Sequence, residues 1–172
     1  NAGGVRCWEN SNMHLENVVI ANNTTVGGGV GGGLHCRGSS PTLIQVTIIN
    51  NSSSGSGGGM YLRGESLPTV VSSIIWGNSP ENIFFRAGEI ASTITLSYSD
   101  LQWGQDSIIT NENGTVNWGS GNIDVDPMFV DTANGNYHLL ASSQLINAGH
   151  PDSTDSDGTI ADIGAYPYLN SY

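Results

Sequence analysis

Three stretches of this chain repeat the same alternation of apolar and polar positions. Residues 3–8 (GGVRCW), 32–37 (GGLHCR) and 58–63 (GGMYLR) each start with two glycines and continue with four alternating residues. A second alternating run follows each of them and ends in Asn, at residues 15–23, 43–51 and 70–78. Because a repeat of this length carries strand patterns and no helical periodicity, it predicts the coils of a β-solenoid.

Alternation also assigns each side chain to a side of its strand. The columns expected to face inward are Val5/Leu34/Met60, Cys7/Cys36/Leu62, Leu15/Leu43/Val70 and Ile20/Ile48/Ile75. The columns expected to face outward are Arg6/His35/Tyr61 and Trp8/Arg37/Arg63. Asn closes each repeat at a bend, where stacked amides can bond to each other along the axis.

After Asn78 the repeat weakens. Residues 83–85 and 94–98 still predict two strands, which would begin and complete a fourth coil, and beyond Trp103 we find no further pattern. The sequence therefore predicts an all-β domain with about three to four solenoid coils in residues 1–105. Residues 106–172 are expected to form an irregular C-terminal capping segment of the same domain.

Charge is distributed unevenly along the chain. The net charge is −11, and all four basic residues are arginines within the first half, whereas residues 100–172 hold ten acids and neither Lys nor Arg. Such a surface should repel nucleic acid and anionic membranes. No apolar run approaches the length of a membrane span, so membrane insertion is not expected. The low Lys content and the abundance of Asn, Gly, Ser and Thr favour an extracellular or cell-surface location.

The two cysteines, Cys7 and Cys36, occupy equivalent positions in adjacent repeats. They could form a disulfide, contribute to a metal pair, or serve as small buried core residues. Leu62 takes the same position in the third repeat, which favours buried free thiols.

Residues 31–52 (GGGLHCRGSSPTLIQVTIINNS) and 57–79 resemble coils of bacterial right-handed parallel β-helix repeat proteins. Residues 122–131 (NIDVDPMFVD), 134–139 (NGNYHL), 146–149 and 157–166 resemble the C-terminal segment that often follows such coils. The resemblance implies a right-handed single-stranded β-helix, secretion by a bacterium, and a tail that covers the last coil. It implies no particular activity, since such proteins include surface proteins and polysaccharide-active enzymes.

Two groups of residues could carry chemistry. Asp152, Asp155 and Asp157 precede Gly158, and Asp162 follows, a pattern that resembles calcium loops because Ca²⁺ requires six or more oxygen ligands. The alternative is a solvated acidic turn. The outward columns bring together Trp8, His35, Arg37, Tyr61 and Arg63, where rings could stack on sugars and Arg could pair with uronates. The alternative is ordinary packing across a sheet face.

Catalysis is disfavoured because the chain has no Lys and its Asp-rich segment is far in sequence from the arginines. The sequence therefore favours a non-catalytic extracellular structural or adhesive module. It would belong to a longer rod or an end-to-end assembly, and its first coil would pair with upstream coils or another copy of itself. The alternative is a module that binds acidic polysaccharide, or a fragment of an enzyme of the polysaccharide lyase or glycoside hydrolase type.

Overall fold

A computed structural model describes residues 2–169 of the chain. It contains seventeen short strands and two 3-10 turns, Gln105–Ser107 and Thr132–Asn134. The strands are, in chain order, β1 Val5–Trp8, β2 His14–Glu16, β3 Val19–Ala21, β4 Thr24–Thr25, β5 Leu34–Arg37, β6 Thr42–Ile44, β7 Thr47–Ile49, β8 Ser52–Ser53, β9 Met60–Arg63, β10 Thr69–Val71, β11 Ile74–Trp76, β12 Ile83–Phe85, β13 Ser92–Ser97, β14 Asp100–Leu101, β15 Gly114–Trp118, β16 Phe129–Asp131 and β17 Asn136–Leu139. No helix among these residues is long and apolar enough to cross a membrane.

Thirteen of the strands stack into three parallel sheets that form a β-solenoid of about four coils, while β4 pairs with β8, and β16 pairs antiparallel with β17. Sheet A has the order β1-β5-β9-β12, sheet B the order β15-β13-β10-β6-β2, and sheet C the order β14-β11-β7-β3. The pairing matches the predicted columns, with Val5 opposite Leu34 and Leu34 opposite Met60. The inward side chains form one apolar core in which nearly every member is buried. The predicted all-β solenoid is confirmed.

The asparagines that close the coils form a directional ladder. The backbone N–H and Nδ2 of Asn23 donate to Oδ1 of Asn51 at 3.0 and 2.9 Å, and the same atoms of Asn51 donate to Oδ1 of Asn78. Asn78 continues the pattern onto Oδ1 of Asn82. Each amide oxygen therefore accepts two bonds from the coil that precedes it, which fixes the spacing of the bends.

Parallel pairing continues past the point at which the sequence pattern was expected to end. β15 pairs with β13 along its whole length, so that Trp118 lies opposite Leu96. Ile109 and Ile123 form further bridges to Phe84 and Asp100. The expectation that the pattern ends at Trp103 was wrong, and a partial fifth coil follows. Its irregular spacing hides it from a repeat search, although Val116 and Trp118 still pack against the core.

The C-terminal segment packs along the outer face of sheet C. A second apolar cluster joins Ile74 of that sheet to Leu139, Leu145 and Ile163 of the segment. The Ala165 N–H donates to Oγ1 of Thr47, and Nδ2 of Asn22 donates to the Tyr137 hydroxyl. The segment therefore runs back from the last coil to the first along one side. The sequence analysis expected this segment to cover the last coil, whereas the structure places it along the side of the coils, against sheet C.

Candidate functional site

The outer face of sheet A collects every basic residue of this chain. Arg6 lies opposite His35 in the register, and Arg37 lies opposite Trp8 and Arg63. Arg86 directly follows β12, and its backbone N–H donates to the Leu62 carbonyl in the preceding coil. The chain has no Lys, and these four arginines are all of its Arg residues. This face is therefore the cationic region of a protein whose net charge is −11.

Aromatic rings run along the same face. The ring centroids of Trp8 and His35 are 5.9 Å apart, those of His35 and Tyr61 are 5.1 Å apart, and those of Tyr61 and Phe84 are 5.6 Å apart. His35 and Tyr61 are only 3% and 5% exposed. Both point away from the core, as the alternation predicted, but they are covered, so little of either ring remains accessible to a ligand.

His35 is buried without a hydrogen-bond partner for either ring nitrogen among the described residues. Burial lowers its pKa to about 4, and the positive charges of Arg6, Arg63 and Arg37 contribute further. The ring is therefore neutral at pH 7. Corner glycines allow this close packing, because a Cβ on Gly31 would lie 2.7 Å from that of His35.

Two of the four arginines are paired with an acid that the sequence analysis missed. Arg63 makes a two-pronged contact with Glu89, with Nε at 3.0 Å from Oε2, and Arg86 lies 3.2 Å from the same carboxylate. The hydrogen bond from Arg63 holds the pKa of Glu89 below its usual value. Glu89 follows Arg63 by 26 residues, the repeat length between the second and third coils, which is a signal that could have located it.

Arg6 and Arg37 remain beside the half-buried Trp8. Their guanidinium carbons lie 3.8 and 4.5 Å from the centre of the Trp8 ring, consistent with cation–π contact. Arg37 also lies 3.6 Å from Glu9, with both side chains well exposed. An open depression of about 430 Å³ adjoins Arg37 between Glu9 and Glu89. Of the predicted polysaccharide-binding group, Trp8 and Arg37 therefore remain available, and the structure adds Arg6 beside them.

The predicted calcium residues differ in burial and in their hydrogen-bond partners. Asp155 is buried, and its carboxylate accepts hydrogen bonds from Nε2 of Gln45 and the N–H of Asp162. Asp162 is fully buried and accepts from the N–H groups of Asn147 and Tyr168. Asp157 accepts from Thr159, and Asp152 lies exposed. Within residues 2–169, no three His, Cys, Asp or Glu side chains form a group that could hold a metal ion.

Burial raises the pKa of Asp162, and the nearby Asp155 and Asp157 raise it further, while its two backbone hydrogen bonds oppose the shift. In the structure, Asp155 and Asp162 therefore stabilise the fold of the C-terminal segment, because both carboxylates accept backbone N–H groups within it.

The two cysteines are free and buried in the core, opposite each other in β1 and β5. The thiol of Cys7 lies 3.5 Å from the sulfur of Met13. A hydrogen bond with Cys7, followed by burial, raises the pKa of Cys36 well above its usual value. This matches the expectation of buried thiols that act as core side chains.

Asp100 is a buried acid that the sequence analysis did not single out. It is fully buried on the outer side of sheet C, its Oδ1 accepts the N–H of Val125 at 3.1 Å, and its Oδ2 has no partner among the described residues. Burial raises its pKa to about 7, and the negative charges of Asp124 and Asp126 add to the shift. Those two acids also accept backbone N–H groups, Asp124 from Trp103 and Asp126 from Met128.

A cleft of about 470 Å³ lies between sheet C and the C-terminal segment. Trp76 and Asn50 line it on the coil side, and Asp126, Met128 and Phe129 line it on the segment side. Its position was not predictable from the sequence, because it depends on how the segment returns along the coils.

Comparison with known proteins gives one similar fold. No protein-family model matches the chain, and no curated protein matches it. Among solved structures, the chain is similar to the crystal structure of pectate lyase Pel9A, with 13% sequence identity and a TM-score of 0.47. The alignment covers 98% of this chain and 64% of that chain, so this chain spans slightly less than two thirds of the lyase's length. What the chain does must therefore be argued from its own faces, edge and cleft.

Proposed function

We propose that this chain is a non-catalytic structural module of an extracellular bacterial β-solenoid, and that it stacks on another coil through the outer edge of its first coil. The first coil comprises β1, β2 and β3. The partner is a coil of the same kind, supplied by upstream sequence or by another copy of the chain.

The Asn ladder is the observation that carries this proposal. Oδ1 of Asn51 and Oδ1 of Asn78 each accept two hydrogen bonds from the preceding coil. Oδ1 of Asn23 accepts none from residues 2–169. An added coil with Asn at the equivalent position would complete the pattern, because its N–H and Nδ2 would meet that oxygen.

The apolar core supports the same edge. Val5, Leu15 and Val18 pack on the core of the first coil but remain only partly buried, whereas their equivalents Leu34 and Leu43 are fully buried. A further coil would cover this surface, as each coil covers the next in a solenoid. The pairing of Arg63 and Arg86 with Glu89 also favours a structural use of sheet A over a substrate groove.

A fusion tests this proposal directly. A copy of residues 24–56 placed ahead of Ala2 keeps the seven positions that separate Asn51 from Gly58. We expect the added coil to slow amide hydrogen exchange in β1–β3 at least about tenfold and to raise the free energy of unfolding. A matched fusion, with Ser at the copied Leu34, Leu43 and Ile48, should do neither. Unchanged exchange in β1–β3 would contradict the proposal.

Sedimentation velocity distinguishes the two sources of the partner. If another copy supplies it, the unfused chain should associate as its concentration rises, and Val18→Lys should prevent association by placing a charge on the open edge. Val26→Lys is the control, since Val26 is 80% exposed in a corner loop. A monomer at all concentrations, with a fused coil that does protect the edge, assigns the partner to upstream sequence.

Binding of acidic polysaccharide is a second candidate function, and the two arginines beside Trp8, Arg6 and Arg37, favour it. Titration calorimetry with polygalacturonate should then show binding that Arg6→Ala with Arg37→Ala abolishes. Arg63→Ala should matter less, because Glu89 already holds that side chain. Calcium at the Asp152–Asp162 loop is the third expectation, and a chelator that leaves Tm unchanged argues against it.

A further inference from the structure

The cleft between sheet C and the C-terminal segment plays no part in coil stacking. At about 470 Å³ it has the size of a small-molecule site, and it lies on the side of the solenoid rather than at an end. Its coil side includes Ile49, Asn50 and Trp76, and its other side includes Asp126, Met128 and Phe129. One indole, one phenyl ring and one carboxylate are therefore available to the same ligand.

Its walls are held in place by contacts on the segment side. The Phe129 ring meets the buried Tyr137 edge-on, with 5.7 Å between ring centroids. Met128 has a φ of 57°, an uncommon value for a residue with a side chain, and its N–H donates to Oδ1 of Asp126 at 2.9 Å. This tight turn positions the Asp126 carboxylate at the cleft, and its second oxygen has no hydrogen-bond partner among residues 2–169.

Charge selects the kind of ligand. All four arginines lie on or beside sheet A, whereas residues 100–172, which supply one wall of the cleft, hold ten acids and no basic residue. Asp126 itself lines the cleft, and the negative charges of Asp124 and Asp126 are close enough to raise the pKa of the buried Asp100. An anion would be repelled here, and a cation would be attracted.

We infer that this cleft binds a small organic cation, a primary alkylammonium, with its nitrogen between the Asp126 carboxylate and the Trp76 ring and its alkyl chain against Phe129. A carboxylate neutralises such a group, and an indole face is the strongest cation–π partner among the side chains. The alkyl chain accounts for the apolar part of the cleft, which a hydrated metal ion would leave unused.

Butylammonium and butanol are matched probes, because they share an alkyl chain and differ in charge. Nuclear magnetic resonance of indole-labelled protein resolves four Trp signals, and Trp76→Phe identifies the signal from the cleft. We expect butylammonium to shift the Trp76 signal with a Kd on the order of millimolar, and butanol to bind at least about fivefold more weakly.

Asp126→Asn removes the charge and keeps the oxygen that accepts the Met128 N–H, so the turn should remain folded, which circular dichroism checks. This variant should bind butylammonium about fivefold more weakly. Asp152→Asn makes the same charge change on an exposed loop that does not line the cleft, and it should bind as the unmodified chain does. Equal binding of butanol, full affinity in Asp126→Asn, or no shift of Trp76 would each overturn the inference.

Discussion

Asp100 should make this protein less stable as the pH rises from 4 to 8. Its pKa is about 7 in the folded state, against an ordinary value of 3.8, because the carboxyl is fully buried. Below about pH 3.8 both folded and unfolded chains carry the proton, so Asp100 then has no effect on stability. Between the two pKa values the folded state binds more protons than the unfolded chain. The free energy of unfolding therefore falls as the pH rises, and the full penalty is present above about pH 7.

The size of this penalty follows from the shift. About three pKa units, at 1.36 kcal/mol each, correspond to about 4 kcal/mol. Asp100→Asn keeps an oxygen that can accept the Val125 N–H and removes the ionisation. We therefore expect the stability of the variant relative to the unmodified chain to rise by about 3 to 4 kcal/mol between pH 4 and pH 8.

Urea unfolding at several pH values measures this difference. A comparison across pH cancels any constant cost of placing an amide in the site, including the cost of its unpaired N–H group. Asp106→Asn is the control, since its carboxylate is exposed, and its relative stability should stay within about 0.5 kcal/mol across the range. A change below about 1 kcal/mol for Asp100→Asn would refute the view that burial holds this carboxyl protonated.

Three further predictions concern the outer face of sheet A and the Asn ladder. His35, with a pKa lowered to about 4, favours the neutral form in the folded state, so its contribution to the free energy of unfolding should fall by about 3 kcal/mol as the pH drops from 6.5 to 4, opposite in sign to that of Asp100. The stability of His35→Phe relative to the unmodified chain should therefore rise by about that amount in urea titrations over this range, and a constant difference would refute the prediction. Glu89→Gln removes the ionic partner of Arg63 and should lower the free energy of unfolding, measured in urea at low salt, by about 1 to 2 kcal/mol. An unchanged free energy of unfolding would show that the ion pair contributes nothing to stability. Asn51→Ala should cost about 3 kcal/mol in urea melts, and Asn23→Ala clearly less, because only the former breaks bonds to coils on both sides; equal losses would contradict the directional ladder.

The columns of the solenoid could be predicted because two regularities coincide in the sequence. Period-two alternation sets which side chains face inward, and the repeat of 26 to 29 residues sets which of them stack. Val5, Leu34 and Met60 accordingly lie in register, and Ile83 continues their column in the fourth coil. Both signals are local, so neither depends on how distant parts of the chain pack.

The burial of His35 and Tyr61 could not be predicted in the same way. Alternation states that a side chain points away from the core, but it does not state what lies on the other side. Neighbouring rings and the narrow glycine corners cover both residues. Whether a side chain on the outer face of a sheet is exposed therefore depends on the packing around it. Because His35 and Tyr61 are buried, two of the five residues expected to contact a ligand are not accessible to one.

The position of the C-terminal segment was missed although a signal was present. Ile48 and Ile75 were assigned to the core, but their neighbours Ile49, Ile74 and Trp76 are also apolar. A strand with apolar residues on both sides is buried on both faces. Sheet C therefore required a cover along its outer face, and the C-terminal segment supplies it through Leu139, Leu145 and Ile163.

The outer faces of sheets A and C therefore leave different opportunities for recognition. On sheet A, Glu89 pairs with two of the four arginines, and close packing covers the rings of His35 and Tyr61, so that face is largely committed to its own stability. On sheet C, the C-terminal segment covers the apolar positions and creates the cleft beside Trp76. Our two proposals concern the edge of the first coil at Asn23 and the acidic cleft, which differ in chemistry. The edge offers backbone and amide groups, whereas the cleft offers a carboxylate and aromatic rings. A variant at Asp126 should leave coil stacking unchanged, and one at Val18 should leave ammonium binding unchanged, so the two proposals can fail separately.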